Sequence, residues 1–364
     1  MKKAASRSTR KSAPVLPPAP QPFLAKNLRR KQFASTGDAH IQGDVTITTQ
    51  LIVGGDLLID GDLIAEEVFC LGKLTVTGDI QVQSLYIGQT LDSGGNIDVE
   101  FLLKTGCNAE WMARLLELDQ KALKDGDSFI DLLAHPAIVA RQEQHDLLGA
   151  FGDIQCLGYL SCEDLDCHGN LQLDDDLEAG EVLFVGGHLA ASSIAVRGDC
   201  NCEGEVFSES KISVGGSLFA GEILCQGNVE AAAIGSQGDI SAWGYIRARG
   251  DISSLFGEIH AGRWIGCAAS LYAAKYIKAG ESVIGEKGVS SGKDYGIFAG
   301  SVLPRSAWAK EGLISAASKP RGILSGEFVE GKKLRYLDAQ EKKRDRELDW
   351  ELNRRVKREM LAED

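Results

Sequence analysis

A chain of 364 residues can hold one large domain or two to three ordinary ones, and 44% apolar residues are enough to bury a core. Its 42 glycines against 8 prolines favour many tight turns in a regular array, because disordered chains are usually rich in both. Nine cysteines without a compact framework indicate small buried residues in a reducing compartment. Without an apolar signal core or a run of eighteen apolar residues, the sequence predicts a cytoplasmic protein, with peripheral inner-membrane contact as a further option.

Residues 1–36 carry nine basic side chains and no acidic one, and they include the stretch PVLPPAPQP. This composition predicts a disordered basic Pro-rich tail that favours polyproline conformation. It fits either an arm that contacts a protein or a membrane surface, or a solubilising linker. Residues 37–331 hold a net charge of about −24, which excludes a nucleic-acid groove there and favours a self-repelling surface or a basic partner.

From residue 37 onward two periodicities dominate the chain. Apolar residues recur every six positions in two columns: Ile41, Ile47, Val53, Ile59, Ala65, Leu71 and Val45, Leu51, Leu57, Leu63, Phe69, Thr75. Glycines that precede an aliphatic residue by two positions recur after 17 or 18 residues: Gly152, Gly169, Gly187, Gly204, Gly221, Gly238. Three short strands per coil explain both periods. The sequence therefore predicts an all-β, triangular, single-stranded parallel β-helix, right-handed, with 17–18 residues per coil.

The repeat divides the chain into further segments. Coils are predicted over 37–103 and 151–300, separated by a helical insertion over 104–150 that lacks the glycines and shows helical spacing. An irregular cap over 301–331 precedes a charged C-terminal helix over 332–364. We expect the insertion to split the coil array.

The C-terminal helix is expected to carry ion pairs such as Glu347 with Arg344 on an exposed face. A narrow apolar stripe of Leu348, Leu352 and Val356 could cover an end of the β-helix or meet a partner.

The Gly-Asp pairs at Asp56 and Asp62 resemble a calcium-binding repeat, whose period is nine rather than six and seventeen. They are better interpreted as turn dipeptides whose carboxylates face water. A second candidate, for zinc, comprises Cys156, Cys162, Cys167, His168, Cys200 and Cys202. No pair has CxxC spacing, and the register places Cys167 and Cys202 two coils apart, too far for one zinc ion. We interpret the cysteines as small ladder residues.

Two enzyme patterns also occur. Gly288 to Gly292 matches GxSxG around Ser290, without the strand–turn–helix context of a nucleophile elbow, and the following Lys293 and Asp294 do not complete a phosphate loop. His188 and His260 lie within the coils, where hexapeptide-repeat acyltransferases use a histidine, but the large fifth-column residues are atypical of that class. We therefore assign no catalytic, cofactor-binding or metal residue and predict a protein that is not an enzyme.

The repeated GDV, GDL and GDI units, the 17–18-residue register and the basic, Pro-containing tail resemble the bactofilins, bacterial polymer-forming cytoskeletal proteins. The resemblance covers Gly37 to Val99 and Gly152 to about Gly280. It implies a right-handed β-helix that joins end to end into filaments without nucleotide, and tails that reach membrane or partner proteins.

The leading hypothesis is a structural scaffold that assembles with itself or docks onto another protein through its coil ends and tails. One alternative is an acidic binding module that sequesters a basic partner, as immunity proteins do. A second alternative is a hexapeptide-repeat acyltransferase.

Overall fold

The computed structural model describes residues 22–35, 37–107, 152–300 and 312–360, with the side chains of the last segment described as far as Glu347. It confirms the predicted fold class: the described residues are mostly in strands that form a parallel β-solenoid of about 14 turns, followed by one helix in the described C-terminal part. The helical insertion over 104–150 falls almost entirely outside the described residues, as do residues 1–21 of the predicted tail.

The strands before the insertion follow one another with short corners between them. They are β1 (Phe23–Arg30), β2 (Phe33–Ser35), β3 (Ala39–Val53), β4 (Leu57–Ile59), β5 (Leu63–Cys70), β6 (Leu74–Val76), β7 (Ile80–Ile87), β8 (Leu91–Ser93) and β9 (Ile97–Lys104).

The strands after the insertion repeat this pattern, and one helix follows them. They are β10 (Ile154–Cys156), β11 (Leu160–Cys167), β12 (Leu171–Leu173), β13 (Leu177–Val185), β14 (Leu189–Val196), β15 (Asp199–Cys202), β16 (Glu205–Val214), β17 (Ser217–Ala220), β18 (Glu222–Cys225), β19 (Asn228–Ala231), β20 (Ala233–Ser236), β21 (Ile240–Ala242), β22 (Ile246–Ala248), β23 (Ile252–Ser254), β24 (Ile259–Ala261), β25 (Ile265–Cys267), β26 (Ser270–Ala273), β27 (Ile277–Ala279), β28 (Val283–Gly285), β29 (Gly288–Ser291), β30 (Ile297–Ala299), β31 (Leu313–Ser315), β32 (Ile323–Ser325), β33 (Glu327–Phe328) and the helix α1 (Leu334–Met360).

Strand pairing sorts each coil into three segments, which stack into three faces. In one coil, residues 39–41 pair with 57–59 on face 1, residues 45–47 with 63–65 on face 2, and residues 51–53 with 68–70 on face 3. The same three columns continue through the later coils in parallel register. The cross-section is therefore triangular, as the six-residue period predicted.

Each three-residue strand turns its first and third side chains inward because neighbouring side chains alternate across a strand. Ile240 and Ala242 are fully buried, whereas Ser241 between them is half-buried on the outside. Inward residues of successive coils stack directly, as Ile246, Ile265 and Val283 do on face 2. These aliphatic ladders form one continuous core along the axis.

The predicted six-residue columns go out of phase within the third coil, at the corner between Ala65 and Val68. Phe69 and Thr75 were assigned to the inward column, but Phe69 lies between the inward Val68 and Cys70, and Thr75 lies between Leu74 and Val76. The reason is that this coil has 17 residues rather than 18, since Leu57 pairs with Leu74. One residue fewer at a corner reverses the alternation for every position after it.

The boundary predicted for the tail was wrong. Strands β1 and β2 lie within 1–36 and pair with β3, with Phe23 opposite Ala39 and Phe33 opposite Leu51. Leu28 and Phe33 are buried in the core, and Phe23 packs on Phe33 with ring centroids 4.7 Å apart. The glycine register that guided the prediction is missing from this first coil, although its apolar spacing is sufficient to build one.

The expectation that the insertion splits the coil array was also wrong. Ile154 pairs with Leu91 and Leu160 pairs with Ile97, so the strands on both sides of the insertion are adjacent coils in the same register. The buried Thr105 hydroxyl donates to the Gly152 carbonyl at 2.5 Å and closes the base of the insertion. The inserted residues therefore leave from one corner without interrupting the core.

The region predicted as an irregular cap contains three short strands. β31, β32 and β33 continue the columns of faces 1 and 2, with Ile323 opposite Ile297 and Phe328 opposite Ile314. Residues 301–311 lie outside the described part of the chain.

Helix α1 lies across face 2 instead of covering an end of the solenoid. Leu334 and Leu337 pack on Trp264 and Ile284. Gly266 makes the close approach possible, because a Cβ at this position would collide with both leucines. The apolar stripe predicted at Leu348, Leu352 and Val356 falls among side chains outside the described part.

Ion pairs fix the direction of α1 across face 2. The Arg247 guanidinium donates to both oxygens of Asp338, at 2.8 and 3.2 Å, and Arg263 makes a bidentate pair with Glu341. Arg344 donates to Glu281 at 2.8 Å instead of pairing with Glu347, and Glu347 lies 3.7 Å from Lys343. The predicted pair of Glu347 with Arg344 was therefore wrong, since the solenoid competes for the arginine.

The N-terminus of α1 is capped by the solenoid. The Leu334 N–H donates to the Glu286 carboxylate at 2.9 Å, and Lys333 lies 3.0 Å from its other oxygen. Burial alone would raise the pKa of Glu286, but the Leu334 N–H and Lys333 outweigh it and lower the pKa. A carboxylate at a helix N-terminus is favoured because it satisfies a free N–H and the positive end of the dipole.

We predict that Leu337→Asp detaches α1, because it places a charge in a fully buried site between Trp264 and Ile284. Hydrogen exchange of residues 334–347 should then rise at least tenfold while the β22 and β25 amides stay protected. The matched control is Asp345→Ala at an exposed position of the same helix. Equal protection of α1 in both variants would contradict this docking.

Candidate assembly interface

The aspartates of the Gly-Asp units form hydrogen-bonded ladders along the corners. The Asp44 carboxylate accepts the N–H of Asp62 at 3.1 Å, and Asp62 accepts the N–H of Asp79 at 2.9 Å. Asp79 in turn accepts the N–H of Asn96 at 2.8 Å. Each side chain thus binds the backbone one coil later, so the interpretation of these aspartates as turn residues that simply face water was incomplete.

The glycine before each ladder residue is required by the same contact. A Cβ on Gly78 would collide with the Asp62 carboxylate and crowd the Gly61 carbonyl below it. At this position glycine therefore lets the backbone of the next coil come within reach of the acceptor. The Gly-Asp repeat therefore encodes coil-to-coil binding.

The corner between faces 3 and 1 carries a similar ladder with varied acceptors. Asp153 accepts the N–H of Asn170 at 2.7 Å, Asn170 accepts the N–H of His188 at 2.9 Å, and the His188 Nδ1 accepts the N–H of Glu205 at 3.1 Å. This contact gives His188 a structural role at an aspartate position. This role could not be predicted from the sequence, because histidine does not match the Gly-Asp pattern.

The nine cysteines are all buried and unpaired. Cys167 and Cys202 lie two coils apart with Val185 between them, as the register predicted. The Cys202 thiol donates to the Gly187 carbonyl at 3.1 Å, and Ser236 donates from an equivalent position to Gly221 at 3.0 Å. Cysteine and serine thus share one role as small donors to corner carbonyls.

Burial raises the pKa of the Cys156, Cys167 and Cys202 thiols to about 11, well above the ordinary value. Thiolates are disfavoured because the neutral form loses less solvation in the core. Among the described residues no group of three or more His, Cys, Asp or Glu side chains is arranged to hold a metal ion.

The other candidate residues lie apart from one another. Ser290 is in the extended strand β29 opposite Tyr272, not at a strand-to-helix turn. His260 is in β24 on face 1 between Ser241 and Lys278, and burial lowers its pKa. The structure brings neither residue next to the other or next to His188.

The ends of the solenoid form the candidate interface. Within the described segments β1 and β2 pair only with β3, and β32 and β33 pair only with β30 and β31. The face 1 ladder finishes on the partly exposed Phe23 and Ala25 at one end and on Ile323 at the other. The face 2 ladder finishes on the partly exposed Phe328, whereas Leu28 and Phe33 in the first coil are buried. Both ends therefore present strand edges and apolar ladder residues that the described chain leaves uncovered.

Comparisons with known proteins returned no matching family model, no similar curated protein and no similar solved structure. A search of the described residues for a helix long and apolar enough to span a membrane was also negative.

The Asp62 ladder bond can be tested with two substitutions. Asp62→Ala removes the acceptor of the Asp79 N–H and should lower the free energy of unfolding by roughly 1–3 kcal/mol. Asp62→Asn should cost less than about 1 kcal/mol, because Asn96 already serves as an acceptor in this ladder. Urea unfolding with hydrogen exchange of Asp79 measures both, and equal losses would contradict the ladder.

Thiol labelling tests the cysteine assignment. With a pKa of about 11, the thiolate fraction of Cys156, Cys167 and Cys202 at pH 8 is about a hundredfold below that of an ordinary cysteine. We expect iodoacetamide to label these residues in urea but not in the folded protein, and any residual labelling of the folded protein should rise about tenfold for each pH unit between pH 7 and 9. Rapid labelling of the native protein would contradict their burial in the core.

Proposed function

We propose that this chain is a non-enzymatic scaffold protein that associates end to end through its solenoid ends, as the resemblance to bactofilins implies. The proposal rests on the exposed strand edges at the two ends of the solenoid. Strand edges and partly exposed ladder residues such as Phe23 and Ile323 lie at the ends of the continuous core. Stacking a second copy there would extend the same parallel columns and bury both sets of residues.

The proposed contact is heterologous, with the first coil of one copy on the last coil of the next. Such a contact uses two different surfaces and therefore propagates into a filament. The described part of α1 does not obstruct it, since α1 packs on face 2. The first coil is also basic, with Lys26, Arg29, Arg30 and Lys31 and no acidic residue, whereas the body is acidic.

Point substitutions at the ends test this proposal. Phe23→Glu at the first coil and Ile323→Glu at the last coil place a charge in the ladder, and each should reduce self-association at least tenfold in sedimentation velocity. Leu24→Glu is the matched control, because Leu24 is the neighbour of Phe23 and points outward with 69% of its surface exposed. Thermal unfolding of each variant checks that the solenoid remains folded.

A mixture of the two end variants gives the sharper result. Each retains one intact end, so equal amounts of Phe23→Glu and Ile323→Glu should form a dimer and nothing larger. Self-dimerisation of either variant alone would indicate contacts between like ends. A strictly monomeric unmodified protein at high concentration would contradict the proposal, and a stoichiometric basic partner recovered with that monomer would favour the sequestering alternative.

A further inference from the structure

Face 3 carries a groove that the solenoid itself does not fill. The outward positions of five successive coils form its floor: Phe184, Asn201, Phe219, Gly235, Ser253. Leu255, at the corner that follows Ser253, completes the wall, and the cavity has a volume of about 490 Å³. Phe219 and Leu255 are each about half exposed, and the Phe219 ring lies against the bare backbone of Gly235.

The apolar side chains of this groove have a fixed spacing. Phe184, Phe219 and Leu255 belong to alternate coils, while the coils between them contribute Asn201 and Gly235. Neighbouring strands are about 4.8 Å apart, so two coils rise about 9.6 Å. A polyproline II helix completes a turn in three residues and about 9.3 Å. An extended proline-rich segment lying along the axis would therefore meet an apolar side chain once per turn.

The chain contains one segment with the matching period. In PVLPPAP, Pro14, Pro17 and Pro20 are three residues apart and lie on the same side of a polyproline helix. Aromatic-lined grooves bind such helices because these are extended before binding and lose little entropy. We propose that the proline-rich N-terminal segment of a second copy of this chain docks in the face 3 groove. This inference rests on the end-to-end association proposed above.

The segment cannot fill the groove of its own solenoid. The groove begins at Phe184, about six coils, or roughly 29 Å, from the coil that contains Phe23. Pro17 lies six residues before Phe23 and reaches at most about 22 Å, Pro20 reaches about 11 Å, and Pro14, at about 32 Å, reaches no further than the first coil of the groove. Prolines that occupy the groove as far as Leu255 must therefore come from a neighbouring copy.

End-to-end stacking places the segment at the correct height. If Phe23 of a second copy continues the face 1 column above Ile323, it stands four coils, about 19 Å, above Ile259, which follows Leu255. Pro17 precedes Phe23 by six residues, about 19 Å of polyproline helix, and is level with Leu255. Pro14 is then level with Phe219, two coils further down.

Charge favours a basic segment on this side of the solenoid. Glu205, Glu222 and Asp239 follow one another along the corner beside the groove, and burial together with the charges of Asp239 and Glu205 raises the pKa of Glu222. An acidic row of this kind is stabilised by a cationic partner. The segment before Pro14 supplies Arg10 and Lys11, and residues 1–21 hold no acidic side chain.

Site-specific crosslinking of the full-length protein tests the proposal. The probe is p-benzoylphenylalanine at Pro17, in an equal mixture of ¹⁴N and ¹⁵N copies, and mass spectrometry identifies which copies are joined. We expect mixed-isotope crosslinks to residues 219–256. Crosslinks confined to single copies, or directed to faces 1 and 2, would overturn the proposal.

Groove variants separate this inference from the proposed function. Phe219→Ser with Leu255→Ser should lower the crosslink yield at least tenfold, whereas Trp243→Ser, at an exposed residue of a different corner, should leave it unchanged. Sedimentation of the same samples reports assembly. Assembly without groove crosslinks overturns only the docking of the tail, and absence of assembly in the unmodified protein overturns both.

Discussion

The rest of this structure depends on the hydrogen bonds between successive coils, which hold them in register along the axis. Each strand takes its backbone partners from the coils before and after it, so no coil satisfies its own hydrogen bonds. Side chains strengthen the same direction: aspartates bind N–H groups of the next coil, and cysteines and serines bind corner carbonyls. Among the described residues, the outermost strands β1, β2, β32 and β33 therefore have strand partners on one side only.

Every large addition to the chain leaves that axis intact. The insertion departs at a corner that the Thr105 hydroxyl closes onto Gly152, and the coils on both sides pair directly. Helix α1 packs sideways on face 2 through Leu337 and through the pairs of Arg247 and Arg263. The described parts of both additions therefore leave the stack of coils continuous.

Much of this fold could be predicted from the sequence, because a three-strand coil imposes its length on the spacing of glycines and aliphatic residues. It was harder to predict which side chains point inward, because one residue fewer at a corner moved Phe69 and Thr75 to outward positions. The first coil was missed because it lacks the Gly-Asp units, and its charges resemble those of a tail. Proline and charge content did not reveal this coil, because it needs few buried apolar residues, such as Leu28 and Phe33.

The interface was harder to foresee than the fold. Sequence patterns give the coil but not whether its last strands are covered, because coverage depends on where distant segments such as α1 pack. The ladder role of the aspartates was hidden for a similar reason: it connects residues 17 or 18 positions apart. Local turn preference accounts for Gly-Asp well enough to obscure the contact with the next coil.

Cryo-electron microscopy of the purified full-length protein is the most direct test of end-to-end association. The account predicts filaments whose strands run perpendicular to the axis at about 4.8 Å spacing. Their axial repeat should be about 70 Å, which corresponds to the length of about 14 coils. Isolated particles of one chain at concentrations well above micromolar would contradict it.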